Sequence, residues 1–394
     1  MSKPLVFEKP LGMRDTLPAL YETKKRVRVK MEALIQSWGY QFIETPTLEY
    51  YDTVGVASAI PEKHLFKLLD QAGNPLVLRP DMTSPIARVA GSSLKNVAYP
   101  LRLAYDSNLF QAQQHDGGRP AEYEQIGIEL IGDGTRSADA EVIALMIAVL
   151  KEAGLTDFKV AVGHVQFMNS LFLDVIGKAE RAEVLRKFLN EKNYVGYREN
   201  VRQLDLSSID ERHLMSLLQL RGERDVIASA RELTSKQAAL TALDELETLA
   251  STLEAYGVAS DVTFDLTLVR HMNYYTGIVF EAYAEGLGMP LSGGGRYDEL
   301  LEKFNRPAQA TGFGIRLDYL LDALGEVETE VPITCLLFTR ERQTEAIQKA
   351  QQLRTEGKQV VLQNIAGVAD LDALTARFED VIQCIGRNGG KGEV

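Results

Sequence analysis

Cysteine is nearly absent from these 394 residues. Cys335 and Cys384 are the two present, too few for a disulfide framework, and neither has a Cys or His neighbour at metal-ligand spacing. Both fit better as small core residues. Histidine is almost as sparse: His64, His115, His164, His213 and His271 are dispersed with no HxxxH pair, so no zinc site is expected. No uncharged apolar run approaches the ~20 residues that span a bilayer, and the opening MSKPLVFEKP lacks the apolar core of a signal peptide. A cytoplasmic chain with no membrane partner is therefore expected. Positive charge is in deficit, with 43 Lys and Arg against 55 Asp and Glu. The net charge of -12 removes any global pull toward nucleic acid and leaves only a local basic patch to supply one. The run Gly293-Gly294-Gly295 lacks the following Lys-Ser/Thr of a phosphate loop. It reads as a turn or as backbone passing close to a ligand, and no cofactor is expected.

What is present is an ordinary globular composition, 45% hydrophobic and 25% charged, on a chain long enough for more than one domain. Val27, Met31, Leu34, Ile35 and Trp38 recur at helical spacing, which predicts an amphipathic helix within 20–38, stopped by Gly39. Strand or edge pieces are expected at 40–43 and 45–49, a hairpin over 65–79 and a helix over 84–90. Val142, Leu145, Met146, Val149 and Leu150 predict a further helix, ended near Gly154, before a strand at 158–162. From about 178 to 258 charged helical sequence takes over as an insertion, with Ser208 and Glu211 read as a capping box. Strand character returns at 262–266 and 277–283, and 312–324 reads as an apolar helix. Beyond about 326, apolar runs at 333–338, 359–362 and 381–385 alternate with helical sequence, which implies a small parallel sheet. The final GRNGGKGEV is expected to be disordered. The expected domains are 1–325, which carries the insertion, and 326–394.

The segment 101–132 has the most to say about chemistry. Leu101, Leu103, Tyr105 and Leu109 alternate with Arg102, Ala104, Asp106 and Asn108, and Ile126, Ile128 and Leu130 alternate with Gln125, Gly127 and Glu129. The loop QQHDGGRP between them breaks strands, so the two runs read as an antiparallel pair with a long connection. One face of the second strand offers an amide, a glycine and a carboxylate, either solvated or the floor of a site.

Five blocks in order, GMRDTLP, LRPDMT, EYEQIGIELIG, LVRHMNYYTG and GGGRYD, resemble the catalytic core of the histidyl-tRNA synthetases, a class II synthetase family, over residues 8–324. The resemblance implies an α+β fold: an antiparallel sheet flanked by helices, with a helical insertion and a small C-terminal α/β domain. It implies dimerisation through the N-terminal helix and the segment around 45–49. It also implies a pocket for free histidine. Asp81 and Thr83 fall where the family holds the α-amino group, and Gln125 lies beside them. Glu129 falls opposite the imidazole, Arg270 on the carboxylate, and Tyr275 and Tyr297 around the ring. An ammonium, a carboxylate and a ring with two N–H groups need partners of these kinds. Asp81 stands where the family usually has glutamate, one methylene longer.

The nucleotide half departs from the family. Gln111 stands where the synthetases have the arginine that clamps the reacting phosphate, and Gln113 replaces a glutamate that helps hold ATP. Arg316-Leu317-Asp318-Tyr319 stands where the family reads glycine-leucine-glutamate-arginine, although Arg119 remains in the loop. Removing a positioned cation where negative charge develops costs several kcal/mol of transition-state stabilisation. The C-terminal piece is also shorter than the family's anticodon-binding domain. A kept histidine pocket beside a degenerate nucleotide site resembles the noncatalytic branch of the family, the regulatory subunits of ATP phosphoribosyltransferase. That resemblance implies no catalytic residues and no aminoacylation. It implies a short-form catalytic subunit as partner in a hetero-octamer of four plus four chains, free L-histidine as feedback effector of the first step of histidine biosynthesis, and no tRNA partner. The alternative is an active histidyl-tRNA synthetase, against which Gln111, Gln113, Tyr319 and the short tail all stand. A paralogue acting on another amino acid is a third reading, and would show no selective histidine binding.

Overall fold

Proline at its first position, where the missing N–H costs nothing, opens a helix over Pro18–Ser37 that buries the stripe Val27, Met31 and Ile35. In this computed structural model residues 6–112, 120–268, 274–325 and 332–386 are described, and the chain divides into two compact units, Met1–Glu326 and Val327–Val394.

The first unit holds β1 (Gln41–Phe42), β2 (Leu48–Tyr50), β3 (Lys67–Leu69), β4 (Pro75–Leu78), β5 (Leu101–Phe110), β6 (Glu122–Ile131), β7 (Phe158–His164), β8 (Arg221–Gly222), β9 (Val262–Asp265), β10 (Ile278–Ala284), β11 (Ser292–Arg296) and β12 (Ala310–Arg316). Nine of them form one sheet in the order β1-β5-β6-β12-β11-β10-β7-β9-β8. The β1–β5 and β7–β9 pairs are parallel and the rest antiparallel. β2, β4 and β3 make a separate small antiparallel sheet.

Alternation sends the two faces of β5 and β6 into different cores. Ala104, Ile126, Ile128 and Leu130 join Met31 and Ile35 of the first helix and Val142 and Met146 of the helix Arg136–Glu152. Leu101, Leu103, Tyr105 and Leu109 join Met82, Ile86 and Tyr297 on the opposite side. Each such aliphatic side chain, fully buried, contributes roughly 1.5–3 kcal/mol. The helices over 178–258 pack on one another through residues such as Leu185, Tyr197, Leu214 and Leu246.

The second unit is a parallel sheet, β14-β13-β15, of β13 (Ile333–Phe338), β14 (Gln359–Asn364) and β15 (Asp380–Cys384). The helix Gln343–Thr355 lays Ala346 and Ala350 against Leu336 and Phe338. Residues 387–394, most of the GRNGGKGEV tail, lie outside the described residues.

Three expectations are corrected. The glycine run is not a turn but part of β11, paired on both sides. Residues 310–316 are the strand β12, and the helix expected over 312–324 begins only at Leu317. The helix start assigned to Ser208 belongs to Ser207, whose hydroxyl accepts the N–H of Asp210 at 3.1 Å.

Candidate functional site

The site is built across β6 and β12. Period-two alternation on β6 turns Gln125, Gly127 and Glu129 away from the Ile126–Ile128–Leu130 core. The register sets Glu129 beside Gly312, Gly127 beside Gly314 and Gln125 beside Arg316. A Cβ at Gly312 would stand 2.0 Å from Glu129 Oε2, and one at Gly314 would stand 2.5 Å from Gln125 Cδ. The two glycines of β12 are thus what lets the polar side chains of β6 lie over the sheet. They floor a cavity of about 900 Å³.

Glu129 is 2% exposed. Its Oε1 accepts from the Thr83 hydroxyl at 2.8 Å and its Oε2 from the Tyr297 hydroxyl at 2.5 Å. Burial pushes its pKa up to about 8; the two hydroxyls pull it back down, and the like charge of Asp81 adds to the rise. Tyr105 donates its hydroxyl to Gln125 Oε1 at 2.8 Å. The rings of Tyr275 and Tyr297 both meet Tyr274 edge-on, with centroids 4.8 and 5.6 Å away. A carboxyl, an amide, phenols and a hydroxyl converging on one cavity can hold a small ring with N–H groups and an ammonium.

Asp81 lines the same cavity but is turned toward its own helix. It accepts the Ser84 N–H at 2.9 Å, in the first turn of the helix Thr83–Gly91, and the hydroxyl of Ser58. Burial raises its pKa. An acid one methylene shorter reaches back to the helix start, a role the sequence did not reveal.

At the other end of the cavity Gln111 Nε2 donates to the Tyr123 hydroxyl at 2.8 Å and to Pro80 O at 3.1 Å. Tyr319 lies against the guanidinium of Arg316. The fold therefore gathers Asp81, Thr83, Gln111, Gln125, Glu129, Tyr275, Tyr297 and Tyr319 around one space. Arg270, Gln113 and Arg119 lie outside the described residues. Sequence reasoning missed Tyr105, Gly312, Gly314 and the placement of Arg316. The Gly-x-Gly alternation of β12 was the available signal for the glycines, once 310–316 is read as a strand.

The sequence profile described as "Histidyl-tRNA synthetase" matches residues 12–320, and the one described as "Histidyl-tRNA synthetase HisZ, C-terminal domain" matches residues 335–386. An ATP phosphoribosyltransferase regulatory subunit of Halalkalibacterium halodurans is 61% identical over 395 residues, covering 100% of both chains. A crystal structure of an ATP phosphoribosyltransferase regulatory subunit/histidyl-tRNA synthetase from Bacillus halodurans superposes with a TM-score of 0.92 at 61% identity, over 98% of this chain and 100% of that one. A histidyl-tRNA synthetase from Nostoc shares the fold, with a TM-score of 0.79 at 19% identity over 95% of this chain and 89% of that one. The chain belongs to the family of ATP phosphoribosyltransferase regulatory subunits, built on the histidyl-tRNA synthetase fold.

Proposed function

We propose that the chain is the noncatalytic regulatory subunit of an ATP phosphoribosyltransferase, required for the first step of histidine biosynthesis, and that the cavity over Glu129 senses free L-histidine. The observation that carries the sensing is Glu129: a carboxyl buried in the lining of the cavity and held by the hydroxyls of Thr83 and Tyr297. In this reading Glu129 meets the imidazole, Tyr275 and Tyr297 border the ring, and Thr83 and Gln125 hold the α-amino group with Asp81 behind them. Arg270 takes the carboxylate.

The absence of adenylation is supported at the other end. Gln111 is neutral, and its amide is committed to Tyr123 and Pro80 where a phosphate clamp would need a cation. The partner is a short-form catalytic subunit, in a hetero-octamer of four plus four, in the cytoplasm and without tRNA. Self-association as a dimer is supported by the small sheet. Leu48, Tyr50 and Leu68 share one exposed apolar face of it, while Glu49 and Val77 are buried on the other. Feedback then needs a coupling of only about 1–3 kcal/mol between histidine and partner, and the partner must shift histidine affinity by the same factor.

Calorimetric titration with histidine and with other amino acids tests the pocket. Selective histidine binding is expected, weakened about tenfold or more by Glu129→Ala, which removes the ring's hydrogen-bond partner in a buried site. Equal binding of other amino acids would contradict sensing. Histidine-dependent ATP–pyrophosphate exchange by the purified chain would contradict the noncatalytic reading.

A further inference from the structure

Histidine recognition leaves one flat group in the cavity unexplained. At the end of β12 the guanidinium of Arg316 lies between the rings of Tyr123 and Tyr319, 3.8 and 3.9 Å from their centroids. Asp318 fixes its edge through Nη2 at 2.9 Å and Nε at 3.3 Å. Tyr123 is anchored in turn by Gln111, which donates to its hydroxyl. The side chain is 20% exposed, so it is largely withdrawn from water rather than reaching into it. Two π faces and one carboxylate thus hold a planar cation in a slot one flat group thick. Cation–π contacts of this kind are strongest where water is excluded.

A slot with an aromatic wall on each side has the form that grips a nucleobase, since every base has a π face. Here the protein's own side chain fills it. We propose that Arg316 is an internal occupant that keeps a nucleotide ring out of the cavity while the histidine end stays open. The idea rests on the noncatalytic reading and deepens it: adenine nucleotides are excluded by an occupied slot as well as by a missing phosphate clamp. Tyr319 is then a wall of the slot, and Asp318 is the group that holds Arg316 in it.

Adenosine is the probe, because it carries the flat purine without phosphates and is indifferent to the lost clamp. Calorimetric titration of the full chain is expected to show no saturable adenosine binding at millimolar concentration for the wild type. Arg316→Gly should improve adenosine affinity by about tenfold or more, the worth of base–aromatic stacking. Arg316→Gly with Tyr319→Ala should lose that gain, which distinguishes a slot from mere empty volume. If the glycine variant loses its fold, Arg316→Ala supplies the same readout with a less flexible backbone. Adenosine binding by the wild type as tight as by Arg316→Gly would overturn the proposal. So would a folded Arg316 variant with no gain. Histidine titrations on the same samples report the sensing reading separately, so the two can fail independently.

Discussion

Burial holds the Glu129 carboxyl well above the ordinary carboxylate range, and the cost of that burial can be measured. Its pKa stands near 8 where an ordinary glutamate has 4.5, with Thr83 and Tyr297 as donors and Asp81 as the neighbouring charge. The folded chain therefore keeps a proton that the unfolded chain releases between those values. Stability falls as pH rises through that window, by up to about 1.4 kcal/mol per pH unit. Glu129→Gln lacks the titration. Thermal melts at pH 5 and pH 8 should show the variant gaining on the wild type as pH rises, and a constant difference would contradict a raised pKa. Gly312→Ala probes the same spot sterically, since its Cβ would meet Glu129 Oε2 at 2.0 Å and Ile128 O at 2.4 Å. A loss of about 1–3 kcal/mol by urea unfolding, together with weakened histidine binding, is expected. Glu129 and Gln125 were legible in the sequence as the polar side of an alternating strand. Arg316 was not, because its meaning comes from Tyr123, which lies far away in the chain. Asp81 was legible as an acid, and it does line the cavity, but its turn toward Ser58 and Ser84 follows from side-chain length and the local helix start.

Among the elements, β11 and the helix Arg136–Glu152 are joined by an ion pair at 2.9 Å between Arg296 and Asp139, 1% and 0% exposed. Arg296 also donates to the carbonyls of Asp133 and Thr135. Arg296→Ala leaves Asp139 buried with Arg136, 3.0 Å away, as its remaining ion-pair partner and takes a donor from two carbonyls, so it should cost about 3 kcal/mol by denaturant unfolding. A loss below 1 kcal/mol would contradict this latch. In the sequence the GGGRYD block drew attention through its tyrosine, and the arginine's structural role stayed hidden because its partner lies in a helix that periodicity alone treats as apolar. The misreading of 312–324 has a similar origin. Apolar residues around glycine fit a helix locally, and only pairing with β6 on one side and β11 on the other makes 310–316 a strand.

For the whole molecule, the small C-terminal sheet was legible because each of its strands is separated from the next by local helical sequence. The order of the large sheet was not legible, since β12 slots between β6 and β11 through pairings no local pattern encodes. Most of the residues that line the cavity nonetheless drew attention in the sequence, because they fall in short motif blocks that can be read one at a time. The decisive experiment is histidine inhibition of the phosphoribosyltransferase complex reconstituted from this chain and a short-form catalytic subunit, comparing wild type with Glu129→Ala. Sensing at Glu129 predicts that inhibition by the variant complex requires about tenfold more histidine, or more, within the usual range of allosteric coupling. Inhibition at an unchanged histidine concentration would contradict it.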